Sequence, residues 1–242
     1  MKFLAPFLYT LRFWIIITLL SIVFGTLSVL AGCVDTSGNT SHHIASLWAR
    51  LICRLNGIRV EIIGLENVCF DHAQVFVANH QSYFDIFALT GYLPAQIRWM
   101  AKSSLFWIPF VGWAMYAEGS IAVNRQDRKN AYKSFLACVE KIRAGYSVVI
   151  FPEGTRSVDG TLGAFKKGGQ LLAARAQAPM VPVTIIGSGR IIKKNSIVLR
   201  PGPVRVIISP PLAVEELSSK KQEQVLEDIR DIIQKNLEEN TL

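Results

Sequence analysis

Between Arg12 and Asp35 the chain runs for 22 residues, Phe13 to Val34, without a charged side chain. At about 1.5 Å of rise per residue a helix of that length reaches roughly 33 Å, close to the hydrocarbon thickness of a bilayer. The positive mean hydropathy of the chain traces to this run, and the rest of the 242 residues suffice for one sizeable domain. We therefore expect a membrane anchor. A rival reading is a lipoprotein leader: Lys2 and Arg12 precede the apolar stretch, and Leu30-Ala31-Gly32-Cys33 stands like a lipobox. The uncharged run exceeds the 7–15 residues of a usual leader core, which favours the anchor.

A polar turn, Asp35 to Ser41, leads to a second helix expected over about Ser41–Leu55. Ile44, Leu47, Trp48, Leu51, Ile52 and Leu55 recur at three- and four-residue steps, while Arg50 and Arg54 share another side. Asn56-Gly57 ends it. Two readings stand: an interfacial helix folded back on the anchor with Trp48 at headgroup depth, or a core helix of the domain. From Ile58 onward short β-rich runs alternate with helical ones. Strands are expected at Arg59–Ile63, Gln74–Ala78, Ile97–Ala101, Ser120–Val123, Ser147–Phe151, Met180–Ile186, Ile197–Arg200 and Val204–Ile208. Helices are expected at Ser82–Thr90, Arg128–Ala144, Gly168–Ala176 and Val214–Leu237. This is the pattern of an α/β fold with a mixed, largely parallel sheet flanked by helices, carrying an N-terminal membrane-associated two-helix segment. The division expected is 1–57 for that segment and 58–242 for the domain. Leu105 to Trp113 is too short to span a bilayer and reads as a membrane-facing lip, with ordinary core as the alternative.

Charge is uneven. Residues 1–214 hold 22 Lys and Arg against 10 Asp and Glu, and residues 215–242 hold 4 against 8. A basic body beside an anchor suits anionic lipid or a phosphorylated substrate, and no nucleic-acid signature accompanies the charge. Cys33, Cys53, Cys69 and Cys138 are too scattered for a zinc or redox pair. No metal site is expected either, since His42, His43, His72 and His80 show no ligand spacing with nearby carboxylates.

The chemistry-bearing residues follow strands. His80 and Asp85, in Asn79-His80-Gln81-Ser82-Tyr83-Phe84-Asp85, come after the run Val75–Ala78. A carboxylate beside an imidazole fixes its tautomer and strengthens it as a base for an alcohol. The plain reading of this segment is a capped turn. Five helical residues rotate by about 140°, so the two cannot share a helix face. His80 must then precede the helix and Asp85 lie in its first turns. Lys102 follows another strand, Arg125 ends Gly119–Arg125, and Phe151-Pro152-Glu153-Gly154-Thr155-Arg156-Ser157 turns off a further one. For each of these the plain reading is a surface or intrasheet ion pair. Gly187-Ser188-Gly189 is not a nucleophile elbow, which argues against a serine hydrolase.

Taken together, these segments resemble the glycerolipid acyltransferase family. The His80–Asp85 block is similar to its H-x4-D motif, and Gly119–Arg125, Phe151–Ser157 and Val181-Pro182-Val183 resemble its further blocks, in order. Ala122 and Asn124 depart from the residues common there. The resemblance implies direct acyl transfer from acyl-CoA or acyl-carrier protein to the sn-2 hydroxyl of lysophosphatidic acid, without an acyl-enzyme or a cofactor. Another lysolipid acceptor, such as a lyso-ornithine lipid or lysophosphatidylglycerol, is the alternative, and a non-catalytic lipid-binding lipoprotein is a further one. It implies His80 as base and Asp85 as its orienter. Arg125, Glu153, Gly154, Thr155, Arg156 and Lys102 would form the acceptor site: the arginines on phosphate, Glu153 orienting Arg156 or touching the glycerol. Pro182 would shape a pocket or serve the strand alone. Such donors are cytosolic in bacteria, so the expectation is an inner-membrane protein whose active site faces the cytoplasm. That argues against a lipidated Cys33. Basic residues flank the anchor on both sides, so their count does not decide topology.

Overall fold

The computed structural model describes residues 4–124, 126–166, 168–213 and 219–240. Two helices come first, α1 (Leu4–Val34) and α2 (Asn39–Leu55). In the turn between them the Asp35 carboxylate accepts from the N–H and hydroxyl of Ser37 and from the Thr40 N–H. These bonds, the Ser37 hydroxyl foremost, hold the carboxyl well below the usual carboxylate range. Next come β1 (Arg59–Ile63), β2 (Val75–Ala78), α3 (Phe84–Tyr92), β3 (Ile97–Lys102), α4 (Val111–Ala117) and β4 (Ile121–Val123). They are followed by α5 (Arg128–Arg143), β5 (Ser147–Ile150), α6 (Gly168–Ala176) and β6 (Met180–Ile186). The last are α7 (Ser188–Ile191), β7 (Pro203–Ile208) and α8 (Ser219–Glu239).

The strands form one sheet in the order β1-β7-β6-β2-β5-β3-β4, parallel throughout except for β6–β7. Helices lie on both faces, so the inner strands Val75–Ala78, Ser147–Ile150 and Met180–Ile186 are buried along their whole length. The pleat divides each strand between two cores. Phe76 and Ala78 join α2 and α3 through Ile52, Phe84 and Leu89. Val75 and Val77 join α5, α6 and α8 through Cys138, Leu172 and Ile229. Burial in these cores pushes the Cys53 and Cys138 thiols up to about 12. Arg98 of β3, fully buried, ties the α1–α2 turn to the sheet: it donates to the Ser37 carbonyl at 3.2 Å and to Asn39 Oδ1 at 2.9 Å.

The helix α1 lies along the domain. Near its start the Trp14 ring N–H donates to the Ile197 carbonyl at 3.2 Å, and Thr10 Oγ1 accepts from the Leu199 N–H at 3.0 Å. Phe13 packs on Phe84, with ring centroids 5.7 Å apart. Towards its end Gly25 faces Phe110 so closely that a Cβ would stand 2.7 Å from the Phe110 carbonyl oxygen. The opposite side, with Leu8, Leu11, Ile15, Leu19 and Val23, is exposed. By length and composition this is the one helix among the described residues able to cross a membrane.

One expectation changes, and two others gain detail. Ile197–Arg200 is not a strand: its Ile197 carbonyl and Leu199 N–H are taken by Trp14 and Thr10 of α1 in place of a neighbouring strand. The Leu105–Trp113 stretch resolves into a 3₁₀ turn, Ser103–Trp107, and the start of α4. In it Phe106 is buried, while Trp107 and Trp113 are exposed beside α1. Pro182 sits in an inner strand, a place proline avoids. Its missing N–H falls where the pairing of β6 jumps from Ile208 to Leu212, across Pro210-Pro211. Of the helix expected from Val214, residues 214–218 lie outside the described residues.

Candidate active site

The strands β2, β5 and β6 end side by side, with Ala78 level with Val183 and Val77 with Ile150. The turns that leave them meet at the edge of the sheet where α/β proteins bind ligands. After β2 the chain makes an unusual lock. Asn79, buried, donates from its side-chain amide to the Ile185 carbonyl at 2.9 Å and accepts from the Ile185 N–H at 2.7 Å. The side chain thus copies a strand residue and extends the β2–β6 ladder by one step.

His80 comes next, before α3, with Asp85 as the second residue of that helix. Its Nδ1 lies 2.8 Å from Asp85 Oδ2. The same oxygen accepts from the Gln81 and Ser82 N–H groups at 2.7 and 2.8 Å. One carboxylate therefore ties down the turn that leads into α3 and at the same time holds the imidazole. With Nδ1 committed to a fully buried carboxylate, Nε2 is the nitrogen available as a base. The imidazole stacks on Phe151, centroids 3.9 Å apart and planes at 12°, and Trp99 stacks behind Phe151 at 5.8 Å.

The Phe151–Ser157 turn grips His80 from the other side. Glu153 Oε1 accepts from the His80 N–H at 2.8 Å, and Oε2 accepts from the Gly163 N–H at 2.9 Å. The Ser157 N–H donates to the His80 carbonyl at 2.7 Å. Gly154 adopts φ 75°, the left-handed conformation that glycine takes most readily. The Arg156 guanidinium stands 4.0 Å above the Tyr83 ring, and its carbonyl accepts from Lys194 Nζ at 2.6 Å. Thr155 is exposed. Glu153, Thr155, Arg156, Ser157 and Asp159 line a cavity of about 410 Å3. Hydrogen bonds from Thr161, its side chain first, keep the Asp159 carboxyl below the usual range.

Lys102 ends β3, the strand next to β5, and is exposed at the same edge of the sheet. Arg125 follows β4 and lies outside the described residues. The structure thus gathers His80, Asp85, Glu153, Gly154, Thr155 and Arg156 in one place, with Glu153 turned to the His80 backbone instead of to Arg156. Sequence reasoning overlooked Phe151 under the imidazole, Tyr83 under Arg156 and Lys194 behind it. Phe151 and Tyr83 stand inside the two motif segments, whereas nothing in the sequence singles out Lys194.

The acyltransferase family's sequence model fits residues 59–186. The chain belongs to the acyltransferase family. The chain is 42% identical over 173 residues to the chloroplastic 1-acyl-sn-glycerol-3-phosphate acyltransferase of Brassica napus, a match covering 71% of the chain and 50% of the relative. To the 1-acyl-sn-glycerol-3-phosphate acyltransferase of Pseudomonas aeruginosa it is 30% identical over 236 residues, covering 92% and 91%. The crystal structure of the 1-acyl-sn-glycerophosphate acyltransferase PlsC from Thermotoga maritima is similar with a TM-score of 0.86 at 26% identity, covering 99% and 97%. The chain spans about half the length of the relatives from Brassica napus, Arabidopsis thaliana and Chlamydomonas reinhardtii.

Proposed function

We propose that this acyltransferase moves a fatty acyl chain from a thioester, acyl-CoA or acyl-carrier protein, to the sn-2 hydroxyl of 1-acylglycerol-3-phosphate. The observation that carries the reading is the imidazole held by Asp85 at 2.8 Å beside a cavity lined by Arg156. His80 Nε2 takes the proton of the hydroxyl as its oxygen attacks the thioester carbonyl. The new C–O bond forms, the C–S bond breaks, and the thiolate leaves with the proton carried by His80. Asp85 keeps the tautomer and stabilises the imidazolium between these steps. Phe151 fixes the plane of the ring. Arg156 offers a fork of donors to the acceptor phosphate, and Tyr83 holds that fork in place. Lys102 and Arg125 are assigned to the same phosphate from their strand-end positions. A cavity of about 410 Å3 suits a glycerophosphate headgroup. The exposed face of α1 keeps the acyl chain of the acceptor in lipid, and cytosolic thioester donors place the active site on the cytoplasmic face of the inner membrane.

The purified protein, given either donor and a panel of lysolipids, is expected to acylate 1-acylglycerol-3-phosphate and to lose this activity on His80→Ala by a factor of about 10²–10⁴. Equal rates with a lysolipid that lacks a phosphomonoester would reject the acceptor, and an active His80→Ala variant would reject the base.

A further inference from the structure

The peptide unit between Arg156 and Ser157 is held at both of its polar ends. Its N–H, that of Ser157, donates to the His80 carbonyl at 2.7 Å. Its oxygen, that of Arg156, accepts from Lys194 Nζ at 2.6 Å. A peptide unit is planar, so fixing the oxygen and the N–H fixes the whole plane, the Arg156 Cα included. The first bond ties the turn to the base. The second comes from outside both motif segments, 38 residues further along and past the end of α7. Several local features deliver that ammonium. Ser82 Oγ donates to the Ile192 carbonyl at 2.9 Å, which pins the segment to the loop that carries the base. The Ser196 N–H then donates to the Lys193 carbonyl at 3.1 Å and closes a tight turn with Lys194 and Asn195 at its centre. Asn195 takes φ 63°, a left-handed conformation that few residues other than glycine adopt and that asparagine tolerates well. Beyond the turn the Arg200 N–H donates to the Ile191 carbonyl at 2.8 Å, and the Leu199 N–H donates to Thr10 of α1.

The turn is thereby seated on both sides, and its two lysines differ. Lys193 is exposed, whereas Lys194 is half-buried with its head on a backbone oxygen. A bond from an ammonium to a carbonyl is charge-assisted and about twice as strong as a neutral one. What it holds is the root of the side chain that lines the catalytic cavity with a guanidinium. Tyr83 restrains the far end of that side chain, under the guanidinium at 4.0 Å, and Lys194 restrains the near end through the backbone. We infer that Lys194 is a positioning residue for acceptor recognition: it fixes the backbone from which Arg156 reaches the acceptor phosphate, without touching the substrate itself. The inference rests on the assignment of Arg156 to that phosphate.

The test is steady-state acyl transfer by the full chain in nonionic detergent, with 1-acylglycerol-3-phosphate varied against a saturating acyl thioester. K194M removes the donor and keeps the stem. It should raise KM about 10–100-fold, the loss of one bond to a charged group, and move kcat by less than about threefold. K194R, whose guanidinium also donates to a carbonyl, should bring KM back to within about threefold of the starting value. Arg156→Met should itself raise KM about 100-fold, and adding K194M to it should change KM by less than about twofold, because both act through one contact. Amide exchange over 152–160, followed by mass spectrometry without substrate, should speed up about tenfold in K194M and not in K194R. Additive effects of K194M and Arg156→Met would put Lys194 on the phosphate itself and overturn the inference. So would unchanged exchange, or a fall in kcat at constant KM. If Arg156→Met raises KM and K194M does not, the inference alone fails. If Arg156→Met leaves KM unmoved, the phosphate role of Arg156 fails and the inference falls with it.

Discussion

Glu153→Gln distinguishes a residue that grips the backbone of the base from one that touches the acceptor. Both Glu153 oxygens are spent on N–H groups, those of His80 at 2.8 Å and Gly163 at 2.9 Å, and the side chain is buried. A glutamine of the same shape can satisfy one of these donors with its carbonyl oxygen, but it turns an amide N–H against the other. One hydrogen bond to a charged group is lost and one donor is left unmatched, about 2–3 kcal/mol in all. For a chain of this length each kcal/mol is worth about 2–4 °C in Tm, so the midpoint should fall by about 4–12 °C. The His80 backbone would shift with its N–H, and a displacement on the order of 1 Å at a catalytic base lowers kcat by about 100-fold. KM for the acceptor should stay near its original value, because no acceptor contact is removed. Differential scanning fluorimetry and steady-state kinetics with varied lysolipid read both quantities. An unchanged midpoint with a tenfold higher KM would refute this reasoning and return Glu153 to the acceptor site.

Asp85→Asn should lower kcat by about 10³–10⁴, as a neutral side chain neither fixes the tautomer nor stabilises the imidazolium, with KM little changed in the same kinetics. Arg98→Met leaves the Ser37 carbonyl and Asn39 Oδ1 without their buried donor, and should lower stability by about 3–5 kcal/mol in urea unfolding. The Cys53 and Cys138 thiols, raised to about 12 by burial, bind protons in the folded state that the unfolded chain releases near pH 9. Their contribution is complete below pH 9 and is lost as pH rises towards 12, at about 1.4 kcal/mol per pH unit for each thiol. The Cys53→Ala/Cys138→Ala variant should therefore show a flatter alkaline limb in unfolding midpoints measured between pH 8 and 11.

Periodicity carries the sheet well because its strands are short apolar runs between polar turns, and the sequence shows the ends of these runs directly. Ile197–Arg200 looks the same in composition, yet what decides its conformation is Thr10 and Trp14, nearly two hundred residues away. No local pattern holds that information. The site divides in the same way. His80, Asp85 and Arg156 announce themselves by residue type and by the strands they follow. The role of Glu153 rests on which backbone N–H it meets, and that depends on β2 and β5 being neighbours. Strand order is a property of the whole sheet, so the sequence alone points this carboxylate to Arg156 or to the glycerol. Lys194 is a case beyond any reading of the chain, one lysine among several in a basic segment.

The length of α1 allows a bilayer to be crossed, but its packing constrains how. Thr10 and Trp14 are bonded to the segment 197–199, while Gly25 and Gly32 press against Phe110 and Ala117. From Thr10 to Gly32 the helix takes 22 residue steps, roughly 33 Å, and is held at both ends to one domain. A helix crossing perpendicular to the membrane would have to tear one end away, or carry part of the domain through the hydrocarbon. Held as it is, α1 is expected to offer its exposed face to one leaflet and to return through α2 to the same side. A single impermeant-maleimide experiment decides the matter in vesicles of known orientation, in a chain with Cys33 and Cys69 replaced by serine. Cysteines placed at Lys2→Cys and at Thr36→Cys should label from the same side of the membrane. Labelling from opposite sides would show that the helix spans, and that its contacts with 197–199 or with α4 do not persist in lipid.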